Sequence, residues 1–129
     1  MTLRHHDLDV YPVTLHAAYS VEDWAELRNT IDSLAENIEA RGHTSRDAVA
    51  RDDGDEDCHV SIYVDPRHDT TDVIRTITHE SVHAAGAVFD QIVAPIEPFS
   101  EPFAYLTDYI AGWLWDGLPP RAHDAKDTR

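Results

Sequence analysis

Between Asp69 and Phe89 the chain reads as one long helix, and this stretch constrains everything around it. Val73, Ile74, Ile77, Val82, Ala85, Val88 and Phe89 recur at three- and four-residue spacing, the helical period. An apolar face that broad predicts a largely buried element. Asp69 or Thr70 supplies the N-cap, and Asp72 suits the positive end of the helix. Into this apolar setting the sequence writes Thr78-His79-Glu80-Ser81-Val82-His83. Positions four apart share one face of a helix. His79 and His83 can therefore point ring nitrogens at one metal ion, with Glu80 beside them. Histidines and a glutamate on a buried helix are costly unless a metal or hydrogen bonds satisfy them. Zinc suits such a pair, since it takes imidazole nitrogen and keeps a position open for water.

Size and charge narrow the setting. The 129 residues, 42% of them hydrophobic, predict a single folded domain over residues 1–118 and a polar tail over 119–129. No apolar run approaches the ~20 residues that span a bilayer, and no apolar stretch follows a basic one at the N-terminus. The single cysteine, Cys58, excludes an internal disulfide. Together these predict a cytoplasmic protein, with association with a virion as the other setting. The net charge of −15 argues against direct contact with nucleic acid or an anionic membrane, because phosphate contacts need a basic patch. Surplus acid serves solubility, or adaptation to high salt.

The remaining elements follow from pattern. Residues 1–7 look like a loose start, and Leu8–Ala17 alternates as a strand, with Pro12 marking an edge or bulge. His16 is expected on its solvent side. Ser20 caps a helix whose stripe of Val21, Trp24, Ala25, Leu27, Ile31, Leu34, Ala35 and Ile38 runs to a C-cap at Gly42. Residues 43–57 read as a polar loop with a hairpin turn at Asp53-Gly54, preceded by a short strand at Ala48–Arg51. Its acidic cluster lacks the spacing of a calcium loop. Cys58–Asp65 is the clearest strand, alternating at Val60, Ile62 and Val64. It sends Cys58 and His59 to opposite faces, so they do not share an ion. After a proline-broken loop over 93–99, Ser100 caps a last helix, Glu101–Trp115. It packs through Phe103, Ala104, Leu106, Ile110, Trp113 and Leu114, and Gly117 and two prolines end it. The fold class expected is α+β, about three helices and a small mixed sheet whose edge strand borders the His79–His83 helix.

A catalytic zinc needs a third protein ligand. In one arrangement a glycine three residues past the second histidine breaks the helix, and another histidine follows. Gly86 is in place, but Phe89 stands where that ligand would be. In the other arrangement a glutamate comes from a later helix, and Glu101 opens the last one. This run of strand, His79–His83 helix, loop and Glu101-Pro-Phe-Ala-Tyr105 helix resembles the gluzincin zinc metallopeptidases. The similarity is greatest to their minimal stand-alone domains, common in phage and prokaryotic genomes, and it covers about residues 58–116. It implies His79, His83 and Glu101 as zinc ligands and Glu80 as general base for peptide hydrolysis. It also implies that Val60–Val64 is an edge strand pairing with an extended peptide or protein substrate. The sequence departs from the family where an Asp often lies four residues past the ligand glutamate. Tyr105 stands there, and Asp108 is left for the supporting role. Tyr105 or Tyr109 is a candidate hydrogen-bond donor to the oxyanion, and Glu97 is the other candidate third ligand.

Two further readings remain open from sequence. One is a non-catalytic acidic binding or assembly protein, including a decoy that mimics nucleic-acid charge. The other is a closed, structural zinc site, which would require His16 or His59 to reach the metal.

Overall fold

The strand around Val60, Ile62 and Val64 lies inside a four-stranded sheet, with a partner on each side. The computed structural model describes residues 3–8, 11–31, 41–94 and 101–120. Its elements are β1 (Arg4–Leu8), β2 (Val13–Ala18), α1 (Val21–Ile31), β3 (Gly42–Ala50), β4 (Glu56–Val64), α2 (Thr70–Gln91) and α3 (Glu101–Asp116). The sheet order is β1-β2-β4-β3. β2 and β4 run parallel, and both outer pairs are antiparallel. The fold is α+β, as the element pattern predicts.

Period-two alternation divides the sheet into two faces. Val13, Leu15 and Ala17 of β2 and Val60, Ile62 and Val64 of β4 face the main core. There they meet Val73, Ile77, Ala84, Ala85 and Val88 of α2 and Leu106, Ile110 and Leu114 of α3. Burial of each large side chain contributes roughly 1.5–3 kcal/mol. On the opposite face Ala18 and Tyr63 pack with Trp24 and Leu27 of α1. The molecule is thus layered: α1, the sheet, then α2 with α3.

Several expectations change. The N-terminal segment is a strand, β1, paired with β2. Tyr11 and Pro12 form the connecting turn, where Tyr11 N–H donates to the Leu8 carbonyl at 3.2 Å. Proline fits there because its ring presets a φ that suits a turn, and no ladder bond is asked of it. Gly42 is not a helix C-cap; it opens β3, while Leu34, Ala35 and Ile38 lie outside the described residues. The polar stretch before the acidic turn is a full nine-residue strand, paired with β4 from Gly42–Val64 to Ala50–Glu56. Its composition is poor in β-formers, so the pairing with β4 overrides local preference. The turn falls at Asp53-Gly54 as expected, with Gly54 at φ 90°. Val60–Val64 is therefore interior, and β3 is the edge strand on that side. Ile74 and Val82, expected in the apolar face of α2, are exposed at 48% and 46%. α2 is buried on one side only.

α2 runs unbroken past Gly86 to Gln91. Beyond it Ala94 N–H donates to the Phe89 carbonyl at 2.9 Å, and Val93 N–H to the Asp90 carbonyl at 3.1 Å. This is a Schellman closure, whose left-handed position prefers glycine. Val93 occupies it at φ 58°.

α3 ends against the first two strands. Tyr19 Oη donates to the Leu114 carbonyl at 2.7 Å, and Arg4 donates to the Trp113 carbonyl. The Trp113 carbonyl at the helix end thereby gains a donor, and the Leu114 carbonyl a second one beside Gly117 N–H at 3.2 Å. Gly117 makes the approach: a Cβ there would lie 2.4 Å from Tyr19 Oη. Residues 121–129 of the expected tail, Ser100 and Glu97 lie outside the described residues. Among the described residues no helix is long and apolar enough to cross a membrane.

Candidate metal and hydrolytic site on helix α2

Helical spacing places His79 and His83 side by side, their Nε2 atoms 3.1 Å apart. Two imidazole nitrogens held at ~2.0–2.1 Å on a tetrahedral zinc lie about 3.3 Å from each other. Both rings are exposed, so an ion and its water could approach from solvent. The donor set at this pair fits zinc.

Glu80 points the other way round the helix, toward the sheet edge, and is only 6% exposed. Thr44 of β3 donates its hydroxyl to Glu80 Oε1 at 2.7 Å. The second oxygen, Oε2, lies 4.0 Å from His79 Nε2. One carboxylate oxygen is thus anchored, and the other lies toward His79. Gly42 permits this closeness. A Cβ at residue 42 would sit 2.5 Å from Thr76 Cγ2 and 3.0 Å from Glu80 Cγ, so any larger residue would push β3 off α2.

Two adjoining clefts of about 390 and 430 Å³ share Gly42, His79 and Glu80. One extends along α2 past Thr76 and Arg75 toward Arg41; the other follows β3 past His43, Thr44 and Arg46 toward His83. A larger cavity of about 680 Å³ lies at the far ends of the strands, beside Asp7, Asp55, Glu56 and Asp57. Arg51 pairs with Asp55 and Asp57 there, and Thr14 donates to Asp7. Three of its four carboxylates are thus engaged, and it lies at the other end of β3 and β4 from Gly42 and Thr44.

The other sequence-predicted residues are not gathered at this point. Glu101 is exposed in the first turn of α3. Among the described residues no third His, Cys, Asp or Glu joins His79 and His83 in a metal-binding group. Tyr105 is 69% exposed, and Asp108 is exposed as well. Tyr109 Oη lies 2.6 Å from His6 Nε2 on β1, at the opposite edge of the sheet from Thr44. Three strand spacings, about 14 Å, separate those edges, so Tyr109 does not reach Glu80.

His16 is buried, contrary to the solvent-side expectation. It contacts His5 Nδ1 through its own Nδ1, while its Nε2 lies 2.8 Å from His59 Nδ1. Burial first, then the neighbouring His5 and His59, lower its pKa to about 4. This row occupies the α1 face of the sheet, whereas α2 covers the other. His16 and His59 therefore cannot complete a site with His79 and His83. Each nitrogen of His16 addresses a different ring, which makes a hydrogen-bonded chain and not a convergent ligand set. The row was not legible in sequence, because its members lie on three strands.

Compared with family models, with curated proteins and with solved structures, the chain matches none.

Proposed function

We propose that this protein is a zinc-dependent peptidase whose site is built on His79, Glu80 and His83. The observation that carries the reading is the pairing of His79 with His83 at 3.1 Å beside a buried Glu80 anchored by Thr44. The resemblance to minimal gluzincins supports it and implies as third ligand either Glu101, which would have to swing toward the pair from its exposed place at the start of α3, or Glu97. When bound, zinc would supply Lewis acidity to water and to the scissile carbonyl.

The chain's own residues do the rest. His79 and His83 would hold the ion through their Nε2 atoms. Glu80 takes a proton at Oε2 from the attacking water as the new C–O bond forms. It returns that proton to the amine nitrogen as the C–N bond breaks. Thr44 fixes Oε1 so that only one oxygen is free to shuttle the proton. β3, the edge strand beside the site, offers backbone groups along which an extended peptide can lie.

Metal analysis of protein purified without chelator should find about one zinc per chain. A chelator should lower the thermal midpoint, because an ion that binds only the folded chain stabilises it. Glu80→Gln should retain zinc and fold while losing peptide hydrolysis by a factor of about 100 or more. A zinc-free preparation, together with unchanged stability in His83→Ala, overturns the reading. Non-catalytic binding through negative charge is favoured instead if partner binding survives Glu80→Gln and weakens steeply with salt.

A further inference from the structure

The two clefts beside Glu80 carry a surplus of one cation in a protein that is otherwise strongly acidic. Across both linings the cations are Arg41, Arg46 and Arg75, against two carboxylates, Asp72 and Glu80. The whole chain has 25 acidic side chains and a net charge of −15. Most of its described arginines are already committed. Arg41 pairs with Asp72 at 3.1 Å, Arg46 with Asp90, Arg28 with Asp47, Arg67 with Asp65, and Arg51 with its own turn. Arg4 is spent on the Trp113 carbonyl and ring. Arg75 alone among the described arginines has no hydrogen bond, ion pair or ring contact to a described residue. It is exposed, yet it lines the cleft that contains His79 and Glu80.

We propose that this cleft takes an acidic side chain of the substrate, and that Arg75 is the residue that selects it. The proposal rests on the hydrolytic reading above and narrows its substrate class. Arg75 precedes His79 by one helical turn, about 6 Å along α2. An extended peptide advances about 3.3 Å per residue, so the selected Asp or Glu lies about two residues from the scissile bond. A guanidinium presents a planar fork of donors that matches a carboxylate. Arg41 in this cleft and Arg46 in the adjoining one are already paired with Asp72 and Asp90 and do not compete for the same role. The −15 background opposes acidic ligands over the whole surface, so the preference depends on the local donors of Arg75.

The test uses the full chain loaded with zinc and internally quenched peptides that differ only in carrying Glu or Gln two residues to either side of the cleaved bond. The Glu peptide should be cleaved with a kcat/KM about tenfold or more above its Gln counterpart, the difference lying mostly in KM. Arg75→Gln should erase that preference, and Arg75→Glu should turn it toward a Lys peptide. Both variants alter an exposed side chain, and an unchanged thermal midpoint verifies their fold. A second arm measures binding of the same two peptides to the Glu80→Gln protein, which needs no turnover. Equal handling of the Glu and Gln peptides, or a preference that persists in Arg75→Gln, overturns the proposal while leaving hydrolysis intact. If nothing is cleaved and no zinc is retained, the hydrolytic reading falls. The binding arm then decides the acidic preference by the same comparison.

Discussion

Thr44 engages one oxygen of Glu80 at 2.7 Å and leaves the other facing His79, so the carboxylate is asymmetric before any ligand arrives. Thr44→Val keeps the shape and removes the donor, leaving Glu80 Oε1 buried without its partner. The expected cost is about 1–3 kcal/mol of stability, with hydrolysis reduced about tenfold or more and zinc content unchanged. Parallel melting curves, metal analysis and peptide assays separate the three effects. Val93 makes the opposite prediction. A β-branched residue at φ 58° carries a steric cost that glycine does not. With Val93 89% exposed, little packing is lost on truncation. Val93→Gly should therefore stabilise the protein by about 1 kcal/mol, read as a higher denaturant midpoint at unchanged slope.

At the scale of elements, the joint between β1, β2 and the end of α3 depends on a few polar contacts. Tyr19→Phe removes the bond to the Leu114 carbonyl from a buried setting and should cost about 1 kcal/mol. Gly117→Ala should cost more, because its Cβ would meet Arg4 Nη1 at 2.3 Å as well as Tyr19. Equilibrium unfolding of the two variants orders them. Which elements could be read from the sequence follows from how locally each is specified. α2 and β4 carry their own period, so their existence and the His79–Glu80–His83 constellation are visible in the string. β3 is not: Gly42-His-Thr-Ser-Arg-Asp47 becomes a strand because β4 hydrogen-bonds to it, a contact between positions far apart in sequence. For the same reason Thr44, which anchors Glu80 from 36 residues away, has no local signature. A threonine three residues into a polar run gives no signal of its own. Gly42 gave a misleading one, since glycine marks close backbone approach as readily as a helix end.

At the scale of the whole molecule, stability should depend on pH in two steps. His16 titrates near 6.5 when unfolded and at about 4 when folded. Between those values the unfolded chain holds the extra proton, so stability falls as pH drops through that window and is level above it. After discount for solvent access the loss is at most about 2 kcal/mol. Asp65 adds a second step. The Arg67 side chain bonded to it lowers its pKa from 3.8 to about 2, so its contribution is present above 3.8 and is lost as pH falls toward 2. His16→Gln should remove the upper step alone, and thermal melts from pH 7 to pH 3 would show it. Salt acts on the same molecule through self-repulsion. Raising ionic strength from about 0.01 to 0.15 M shortens the screening length from about 30 to 8 Å. With a net charge of −15, the thermal midpoint should rise by a few degrees, although the exposed ion pairs weaken. A midpoint that falls with salt would mean that those pairs outweigh the repulsion.

The alternation of β3 has a consequence for how the chain can vary. Gly42, Thr44 and Arg46 serve the α2 side, meeting Thr76, Glu80 and Asp90. His43 and Asp47 serve the α1 side, against Trp24 and Arg28. Both sets are counted off from the tight turn at Asp53-Gly54. Deleting a single residue in that turn, remote from α2, would shift β3 by one step and exchange the two sets. His43 would then take the place of Thr44 beside Glu80, and Gly42 that of His43 against the tryptophan. Length in this surface hairpin is therefore inherited all-or-none, whereas side-chain identity at its tip, Gly54 at φ 90° excepted, is free to drift.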